Sequence, residues 1–290
     1  MITIFTPTYN RAYILPKLFE SLCLQHKKEF IWLIVDDGST DDTKNLVENF
    51  VQRANFPIHY IFQENQGKHV AYNTALDNIS TKYFVTVDSD DILVKEALGI
   101  LRTKLHLIEN NMSIAGVTSP IKKMNKEELL ISKSYDRDIF SFPLEFKEKY
   151  NIIGEFTLIL KTNEVRKYKY PVFEGEKFMK ESVVQNRIGS DYKFLYIKES
   201  IVEAEYREDG LSAKFSSLLK NSPKGAALSF QELMNNPFLR IETRIFNVLL
   251  FWDYESIYNR SIYDRLIKIE SNKLKLFFLI EKLKKNFKKN

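Results

Sequence analysis

Three aspartates within four positions, Asp88, Asp90 and Asp91, follow an apolar, β-branched run at residues 83–87. The run predicts a buried strand, and the carboxylates stand where that strand ends. Close carboxylates repel one another by about 1–4 kcal/mol per pair, so such a cluster favours a bound cation. Oxygen ligands suit Mg²⁺ or Mn²⁺, and either ion commonly brings a phosphate group with it. The alternative is a solvated turn in which an aspartate caps the next helix.

Three further loops carry polar side chains directly after strand-like runs. They are Thr6-Pro7-Thr8-Tyr9-Asn10-Arg11, Asp36-Asp37-Gly38-Ser39-Thr40-Asp41-Asp42-Thr43, and Asn65-Gln66-Gly67-Lys68-His69 with Asn73 about one helical turn later. In a parallel sheet the carboxyl ends of the strands share one edge, and ligands bind there. Four polar loops at the same edge therefore predict a binding site.

Two of these loops suit the nucleoside half of a nucleotide. Tyr9 offers an aromatic face to a base. A carboxylate at Asp36 or Asp37 accepts hydrogen bonds from a base N–H or from ribose hydroxyls. Structural roles stay open for single residues, because Asn10 and Asp41 are also typical helix caps.

The other side chains suit the phosphates. Arg11 and Lys68 supply positive charge, and Gly67 lets the backbone approach a diphosphate closely. The carboxylates of residues 88–91 would hold the metal ion that bridges the phosphates. The set as a whole predicts a site for a nucleoside diphosphate with a divalent metal.

Alternating strand and helix signals must position these loops. Strands are predicted at Ile2–Thr6, Ile31–Val35, Ile58–Phe62 and Tyr83–Val87. Helical spacing of apolar residues follows each of them, near 14–22, from about 42, over Val70–Ile79 and over Val94–Ile108. This order predicts an α/β fold with a mostly parallel central sheet and helices on both faces.

Beyond about residue 113 the pattern becomes irregular. Short strands are predicted at Ile114–Thr118, Phe156–Leu160, Phe194–Ile197 and Ile201–Tyr206. The charged segment from Lys122 to Lys149 predicts a mobile loop or lid, and helical signals dominate from about Pro223. We therefore expect one α/β domain over residues 1–215 and a helical region over 216–290.

Composition narrows the class of protein. The chain has 290 residues, a net charge of +5 and one cysteine, Cys23, which we expect to be a small core residue. The mild positive charge suits a phosphate-bearing ligand or an anionic membrane and is too weak to predict a nucleic-acid partner. Residues 1–5 lack the basic start of a signal peptide, and no apolar run approaches the roughly 18–20 residues that span a bilayer. We expect a cytoplasmic protein, either soluble or attached peripherally to the inner face of the plasma membrane.

The four loops closely resemble those of family 2 glycosyltransferases of GT-A fold. The matching segments are 6–11, Val35-Asp36-Asp37-Gly38-Ser39-Thr40-Asp41, Asn65-Gln66-Gly67-Lys68 with Ala71 and Asn73, and Asp88-Ser89-Asp90-Asp91. Their order and spacing agree over about residues 1–110 and more loosely to about 210. The resemblance implies transfer of a hexosyl or N-acetylhexosaminyl group from a nucleotide sugar, most often a UDP-sugar. Residues 1–110 would bind the donor and residues 111–215 the acceptor.

The resemblance also implies roles for single residues. Asp90 of the D-x-D motif would be the direct ligand of Mn²⁺ or Mg²⁺, Asp88 would lie near the ribose and the metal, and Asp91 would cap the following helix. Asp37 would bind the base. The donor-binding positions carried over are Thr6, Pro7, Tyr9, Arg11, Asp37, Gly67, Lys68, Asn73, Asp88 and Ser89.

An inverting enzyme of this kind needs a carboxylate that deprotonates the acceptor hydroxyl. The family commonly has Glu-Asp at the start of a helix, with an arginine about two turns later. Here the match is Glu181-Ser182 with Arg187, so it depends on Glu181, and Glu176 is the rival. Many relatives also use a late histidine as a metal ligand. All four histidines of this chain precede residue 107, and Arg207 occupies the corresponding region, where it would contact the diphosphate.

The stretch from Asp264 to Asn290 predicts an amphipathic basic helix. Leu276, Ile280, Leu283 and Phe287 recur at three- and four-residue spacing, and Phe277 and Phe278 add to the apolar set. The surrounding lysines are Lys268, Lys273, Lys275, Lys282, Lys284, Lys285, Lys288 and Lys289. Such a helix can lie on an anionic membrane, which the lipid-linked acceptors common in the family would favour. The alternative is a helix docked on the catalytic domain with its lysines in water.

Two other functions stay open. A nucleotide-binding scaffold that lost its base and acts through a partner would fit the substituted Ser182 and the missing late histidine. A sugar nucleotidyltransferase would share the fold class and the metal, but the loop after the first strand has no glycine. A dinucleotide-dependent oxidoreductase is excluded because no G-x-G-x-x-G follows any predicted strand.

Overall fold

The computed structural model describes residues 1–259 and 261–287, with side chains described up to residue 280. Lys288 and Lys289 of the predicted basic helix therefore lie outside the described residues, as do the side chains of Lys282, Lys284 and Lys285. The chain forms two compact units. The first unit holds Met1–Tyr170 and Val184–Glu208, and the second holds Pro171–Val183 and the chain from Asp209 onward. The functional division at residue 215 stays a prediction.

The strands of the described part all belong to the first unit. They are β1 (Ile2–Thr8), β2 (Phe30–Asp36), β3 (Ile58–Phe62), β4 (Tyr83–Thr86), β5 (Ile92–Leu93), β6 (Ile114–Pro120), β7 (Lys122–Lys123), β8 (Ile139–Ser141), β9 (Phe156–Lys161), β10 (Lys193–Tyr196) and β11 (Val202–Ala204).

Helices alternate with these strands and then continue alone. In chain order they are α1 (Leu15–Cys23), α2 (Thr43–Arg53), α3 (Lys68–Asn78), α4 (Ala97–Ile108), α5 (Pro143–Tyr150), α6 (Thr162–Val165), α7 (Ser182–Asp191), α8 (Phe215–Asn221), α9 (Pro223–Asn235), α10 (Ile241–Tyr258), α11 (Ile262–Ile267) and α12 (Asn272–Phe287).

Eight strands form one large sheet in the order β3-β2-β1-β4-β9-β6-β10-β8. The pairs β3–β2, β2–β1, β1–β4 and β6–β10 are parallel, whereas β9 and β8 run the other way. The sheet is therefore mostly parallel, as the alternating pattern predicts. A small second sheet in the order β5-β11-β7 lies beside the segment that follows β4.

The sheet is covered on both faces, which explains the continuous apolar runs of its strands. Every residue of β1 is buried, and so are all but one of β2. On one side Phe19 of α1 stacks on Phe50 of α2 at 4.1 Å between ring centroids, and both rings lie near Trp32 of β2. This packing holds α1 and α2 against β2, whose carboxyl end carries one of the loops of the site.

Three expectations from the sequence are wrong in detail. Residues 139–150 are not a loop, because β8 closes the edge of the large sheet and α5 follows it; the aromatic ring of Phe146 stacks on Tyr196 of β10 at 3.7 Å. Cys23 is exposed, because it is the last residue of α1. Asp91 does not cap the next helix, since β5 intervenes and α4 begins at Ala97 with Glu96 before it.

The second unit is helical and has its own core. Phe230, Val248, Phe251 and Ile269 are among its buried residues, and helices α9 and α10 form most of it. Glu255 of α10 is 1% exposed and is held by Lys268, Tyr258 and Asn259. None of the helices in residues 1–259 and 261–287 is long and apolar enough to cross a membrane.

Candidate active site

The carboxyl ends of β1, β2 and β3 are in register at one edge of the large sheet. Thr8 pairs with Asp36, and Asp36 pairs with Phe62. The backbone bonds continue past the strands, because Asp37 N donates to Thr8 O at 2.8 Å and Gln63 N donates to Asp36 O at 2.9 Å. The polar loops predicted for this edge therefore do meet there.

Asp37 joins the loop after β2 to the loop after β3. Its Oδ1 accepts hydrogen bonds from Gln63 Nε2 at 2.7 Å and Gln66 N at 2.9 Å, and its Oδ2 accepts from Gly67 N at 2.7 Å. The residue is only 4% exposed. A carboxylate has about four acceptor positions, so three are used by the protein and one is left for a ligand N–H.

Two glycines allow the loops to approach so closely. Gly38 has a φ of 84°, and a Cβ there would lie 2.8 Å from Asn65 N. Gly67 has a φ of 99° at the residue before α3. Both positions therefore require the left-handed backbone that glycine adopts without strain.

Asn10 has a role that the helix-cap interpretation missed. Its φ is 53°, and its Oδ1 accepts hydrogen bonds from Thr40 N at 2.7 Å and Asp41 N at 3.3 Å. The residue preceding α1 is Ile14, without a side-chain cap. Asn10 thus ties the β1 loop to the β2 loop, and Asp41 strengthens the tie by accepting from Ala12 N at 3.0 Å.

The acidic cluster after β4 combines close like charges with two nearby cations. Lys68 Nζ lies 2.7 Å from both carboxylate oxygens of Asp88. Burial and the neighbouring Asp88 raise the pKa of Asp90, and Arg11 and Lys68 oppose the shift. Burial, Asp88 and Asp90 together raise the pKa of Asp91 to about 8. The cluster is therefore a place where added positive charge is strongly favoured.

These carboxylates fit a divalent metal that is completed by a nucleotide. No group of three or more His, Cys, Asp or Glu side chains in the described part of the chain could hold a metal ion by itself. Mg²⁺ usually takes only one or two carboxylates together with substrate phosphates and water. Asp88 and Asp90 supply two such oxygen donors, and the mutual repulsion of the cluster is what a cation would relieve.

Aromatic and basic side chains lie on the exposed side of the β1 loop. Tyr9 is 47% exposed and so presents a ring to solvent. The guanidinium of Arg207 lies 5.5 Å from the centroid of Tyr13, and the guanidinium of Arg11 lies 5.9 Å from the same ring and donates a hydrogen bond to its hydroxyl. Arg207 thus reaches the β1 loop from the chain after β11. This is the region in which the resemblance implies a metal-binding histidine in many relatives.

Several candidate residues are buried or form hydrogen bonds within the protein. Thr6 is fully buried, and its hydroxyl accepts a hydrogen bond from Trp32 Nε1 at 3.0 Å. Asn73 binds the backbone of Tyr170 with both amide atoms, each at 2.8 Å. Pro7 and Ser89 are buried at the edge. Contacts with a nucleotide stay predictions for all four residues, Thr6, Pro7, Asn73 and Ser89. The hydrogen bonds of Thr6 and Asn73 show that these two side chains support the surrounding protein structure.

His69 is not a surface residue. It is 4% exposed in α3, its ring meets Tyr170 edge-on at 6.3 Å, and burial lowers its pKa. Its Nδ1 has no hydrogen-bond partner among the described residues. No local pattern predicts this burial, because a polar residue next to Lys68 is typical of an exposed loop.

The two candidate bases lie in the second unit. Glu176 accepts hydrogen bonds from Lys224 N and Gly225 N, both at 2.8 Å, and so caps the amino end of α9. Glu181 is exposed and directly precedes α7, which contains Arg187. The structure thus gives Glu176 a structural task that its sequence context did not indicate.

The fold and the edge described above define a GT-A protein. The S. aureus TarS 1-349 structure in complex with UDP-GlcNAc superimposes with a TM-score of 0.64 at 18% identity, covering 92% of this chain and 81% of that one. The mannosyltransferase PcManGT from Pyrobaculum calidifontis, in complex with GDP-Man and Mn²⁺, gives a TM-score of 0.58 at 14% identity over 97% and 79% of the two chains. Both similarities concern the fold.

The sequence itself assigns the family. The profile of glycosyl transferase family 2 matches residues 3–163, more than half of the chain, and the chain belongs to this family. It is 26% identical over 214 residues to the GalNAc(5)-diNAcBac-PP-undecaprenol beta-1,3-glucosyltransferase of Campylobacter jejuni, covering 73% of this chain and 67% of that protein. It spans only 19–31% of the length of three further glycosyltransferases that it matches.

Proposed function

We propose that this chain is an inverting, metal-dependent glycosyltransferase that moves a sugar from a UDP-sugar to a hydroxyl of a glycan, lipid-linked or protein-linked acceptor. The observation that carries the proposal is the acidic cluster of Asp88, Asp90 and Asp91, on the same sheet edge as the loops that carry Asp37 and Tyr9. That edge offers an aromatic face, a buried acceptor for a base N–H and carboxylates for a cation. A nucleoside diphosphate with a divalent metal uses all three.

The similarities support the donor and the biological role. TarS is a solved relative in fold whose complex contains UDP-GlcNAc, and the Campylobacter relative is named as a glucosyltransferase acting on an undecaprenol-linked glycan. A hexosyl or N-acetylhexosaminyl group on UDP is the corresponding donor for this chain. Synthesis of a surface polysaccharide or glycoconjugate is the corresponding pathway class.

Mn²⁺ or Mg²⁺ would be held by Asp90 and Asp88, and when bound it would offset the charge that develops on the departing diphosphate. The protein's own cations assist from two sides. Lys68 lies at Asp88, and Arg11 lies close enough to Asp90 to lower its pKa. Both can exchange their carboxylate partners for phosphate oxygens when the nucleotide enters.

In the proposed reaction the acceptor oxygen attacks the anomeric carbon of the donor sugar. The new carbon–oxygen bond forms as the bond from that carbon to the diphosphate breaks, and UDP leaves. The acceptor proton passes to the carboxylate of Glu181 as its general base. Glu181 is preferred to Glu176 because both oxygens of Glu176 accept backbone hydrogen bonds at the start of α9.

The decisive experiment measures UDP release from a panel of UDP-sugars, with Mn²⁺, Mg²⁺ or EDTA and a mixed acceptor fraction. Glu181→Gln should lower transfer by about 10²–10⁴-fold while UDP binding is kept, because the isosteric amide cannot take the proton. Glu176→Gln is the matched control. It should keep transfer within a fewfold but lose about 1 kcal/mol of stability, since one helix-cap acceptor is replaced.

Two results would contradict the proposal. Equal transfer by wild type and Glu181→Gln would exclude Glu181 as the base. UDP binding without turnover on any donor, under all metal conditions, would favour the nucleotide-binding scaffold instead.

A further inference from the structure

Helix α12 has two different apolar faces. Leu274 and Phe278 are 1% and 5% exposed, and the ring of Phe278 lies 4.0 Å from that of Trp252 in α10. These residues dock the helix in the core of the second unit. Leu276, Leu279 and Ile280 are instead 60%, 39% and 43% exposed.

The exposed side chains share one side of the helix. Spacings of three and four residues place Leu276, Leu279 and Ile280 on a common face, separate from the face of Leu274 and Phe278. We refer to Leu276, Leu279 and Ile280 as the outer stripe. Docking of α12 therefore leaves exposed the two members of the predicted apolar repeat whose side chains are described, Leu276 and Ile280, whereas the side chains of Leu283 and Phe287 lie outside the described residues.

Lysines border the outer stripe. At about 100° per residue, Lys273 falls next to Ile280 on one side, and Lys275 falls next to Leu279 on the other. Residues 271–280 contain these two lysines and no carboxylate. An apolar strip with positive charge on both borders is the pattern of a helix that lies in the interface of an anionic membrane.

The preceding helix adds exposed apolar groups. Ile262, Tyr263 and Ile267 of α11 are 49%, 73% and 55% exposed. Arg265 of the same helix is buried, with its guanidinium 4.0 Å from the ring centroid of Trp252, so α11 is held to the core through a different side. Exposed tyrosine beside aliphatic side chains is typical of residues that enter a lipid headgroup region.

We propose that the outer stripe, with Lys273 and Lys275, docks the second unit on the surface of a bilayer containing anionic lipid. A second copy of this chain is a poorer occupant, because pairing two outer stripes would bring their bordering lysines together. Anionic headgroups neutralise the same lysines while the acyl boundary covers the leucines and isoleucine. The proposal concerns binding and does not depend on sugar transfer.

The test is flotation of the full chain with two kinds of vesicle. One kind contains phosphatidylcholine alone, and the other also contains phosphatidylglycerol at a mole fraction of ~0.3, which gives the membrane a negative surface charge. Leu276→Ser with Ile280→Ser should weaken partitioning to anionic vesicles at least tenfold, because the buried apolar area is lost. The matched control is Val51→Ser with Leu107→Ser in α2 and α4, whose side chains are 52% and 59% exposed, and it should leave partitioning unchanged.

A second pair of variants tests the charge. Lys273→Gln and Lys275→Gln should each weaken partitioning about fivefold at low salt, and less at high salt. Circular dichroism and thermal unfolding of every variant check that the fold is kept. Unchanged flotation of Leu276→Ser with Ile280→Ser, equal binding to neutral vesicles, or a wild-type dimer in sedimentation that this variant abolishes would each overturn the proposal. Loss of UDP release with flotation intact would instead concern only the proposed function.

Discussion

Two groups of aspartates stand at neighbouring strand ends of the same sheet and are treated in opposite ways. Asp36 and Asp37 are 0% and 4% exposed, yet their carboxylates accept hydrogen bonds from Ser39 N, Tyr60 Oη and the loop before α3. Asp90 and Asp91 are held close to Asp88, and burial and repulsion raise the pKa of both. The first group accepts hydrogen bonds from the protein, whereas burial and mutual repulsion make added positive charge favourable in the second.

This contrast indicates a structural role for Asp36 and Asp37 and a cation-binding role for the cluster that contains Asp90 and Asp91. Satisfied carboxylates fix the loops, because each hydrogen bond to a charged group contributes about 1.5–3 kcal/mol. Buried carboxylates that repel one another cost stability until a cation arrives, an arrangement that is common where residues serve function. The same substitution, aspartate to asparagine, should therefore have opposite consequences in the two groups.

The largest effect is expected for activity. Asp90→Asn removes the proposed metal ligand, so metal-dependent UDP release should fall by about 10³-fold. Asp91→Asn, one residue further, should keep activity within about tenfold. Initial rates across a Mn²⁺ titration measure both, and equal losses in the two variants would remove the distinction between ligand and neighbour.

The next effect is on stability. Asp37→Asn should lower the free energy of unfolding by about 2–3 kcal/mol, because at least one buried N–H of the Gln63–Gly67 loop would face an amide donor. Urea unfolding measures the change. The control is Asp77→Asn, which removes only an exposed ion pair with Lys169 and should cost less than about 1 kcal/mol. A similarly small cost at Asp37 would show that its hydrogen bonds do not hold the loops.

The smallest effect has the opposite sign. The native state raises the pKa of Asp91 from 3.8 to about 8, so it binds this proton more tightly than the unfolded chain does. The contribution of Asp91 to stability should therefore fall as pH rises from about 4 to 8, and Asp91→Asn should be more stable than the wild type by about 1–3 kcal/mol near pH 7.

Unfolding in EDTA at several pH values tests this prediction, since a bound metal would hide the repulsion. The two proteins should have equal stability below pH 3.8 and diverge above it. A difference independent of pH would mean that Asp91 does not titrate in this range, and the contrast between the two groups would then depend on Asp90.

The sequence was sufficient for strands β1 to β4 of the sheet and for the edge of the site. Strand β3 has the predicted bounds, and the polar loops at the ends of β1, β2 and β3 meet as parallel pairing requires. These features follow from local patterns and one topological rule. The fold class was predicted correctly for the same reason, and the family was predicted correctly because four loop segments resemble those of family 2 glycosyltransferases.

What the sequence missed depends on partners far along the chain. Asn73 binds the backbone of residue 170, and Glu176 caps a helix almost fifty residues later. No local pattern distinguishes such side chains from ligand-binding ones. The outer stripe also depends on distant partners. Periodicity predicts an apolar face on α12, but only packing against the rest of the second unit determines that Leu274 and Phe278 are the residues that dock.

The path of the chain between its two units limits how the protein can be divided or varied. Residues 171–183 belong to the second unit although first-unit segments stand on both sides of them. Within that unit Glu176 caps α9, and a Cβ at Gly225 of α9 would approach the carbonyl oxygen of Phe178 to 3.0 Å, so a side chain there requires that neighbour to shift. The helices after residue 208 therefore cannot be removed at one junction without loss of contacts to residues 171–183, the segment that also bears Glu181.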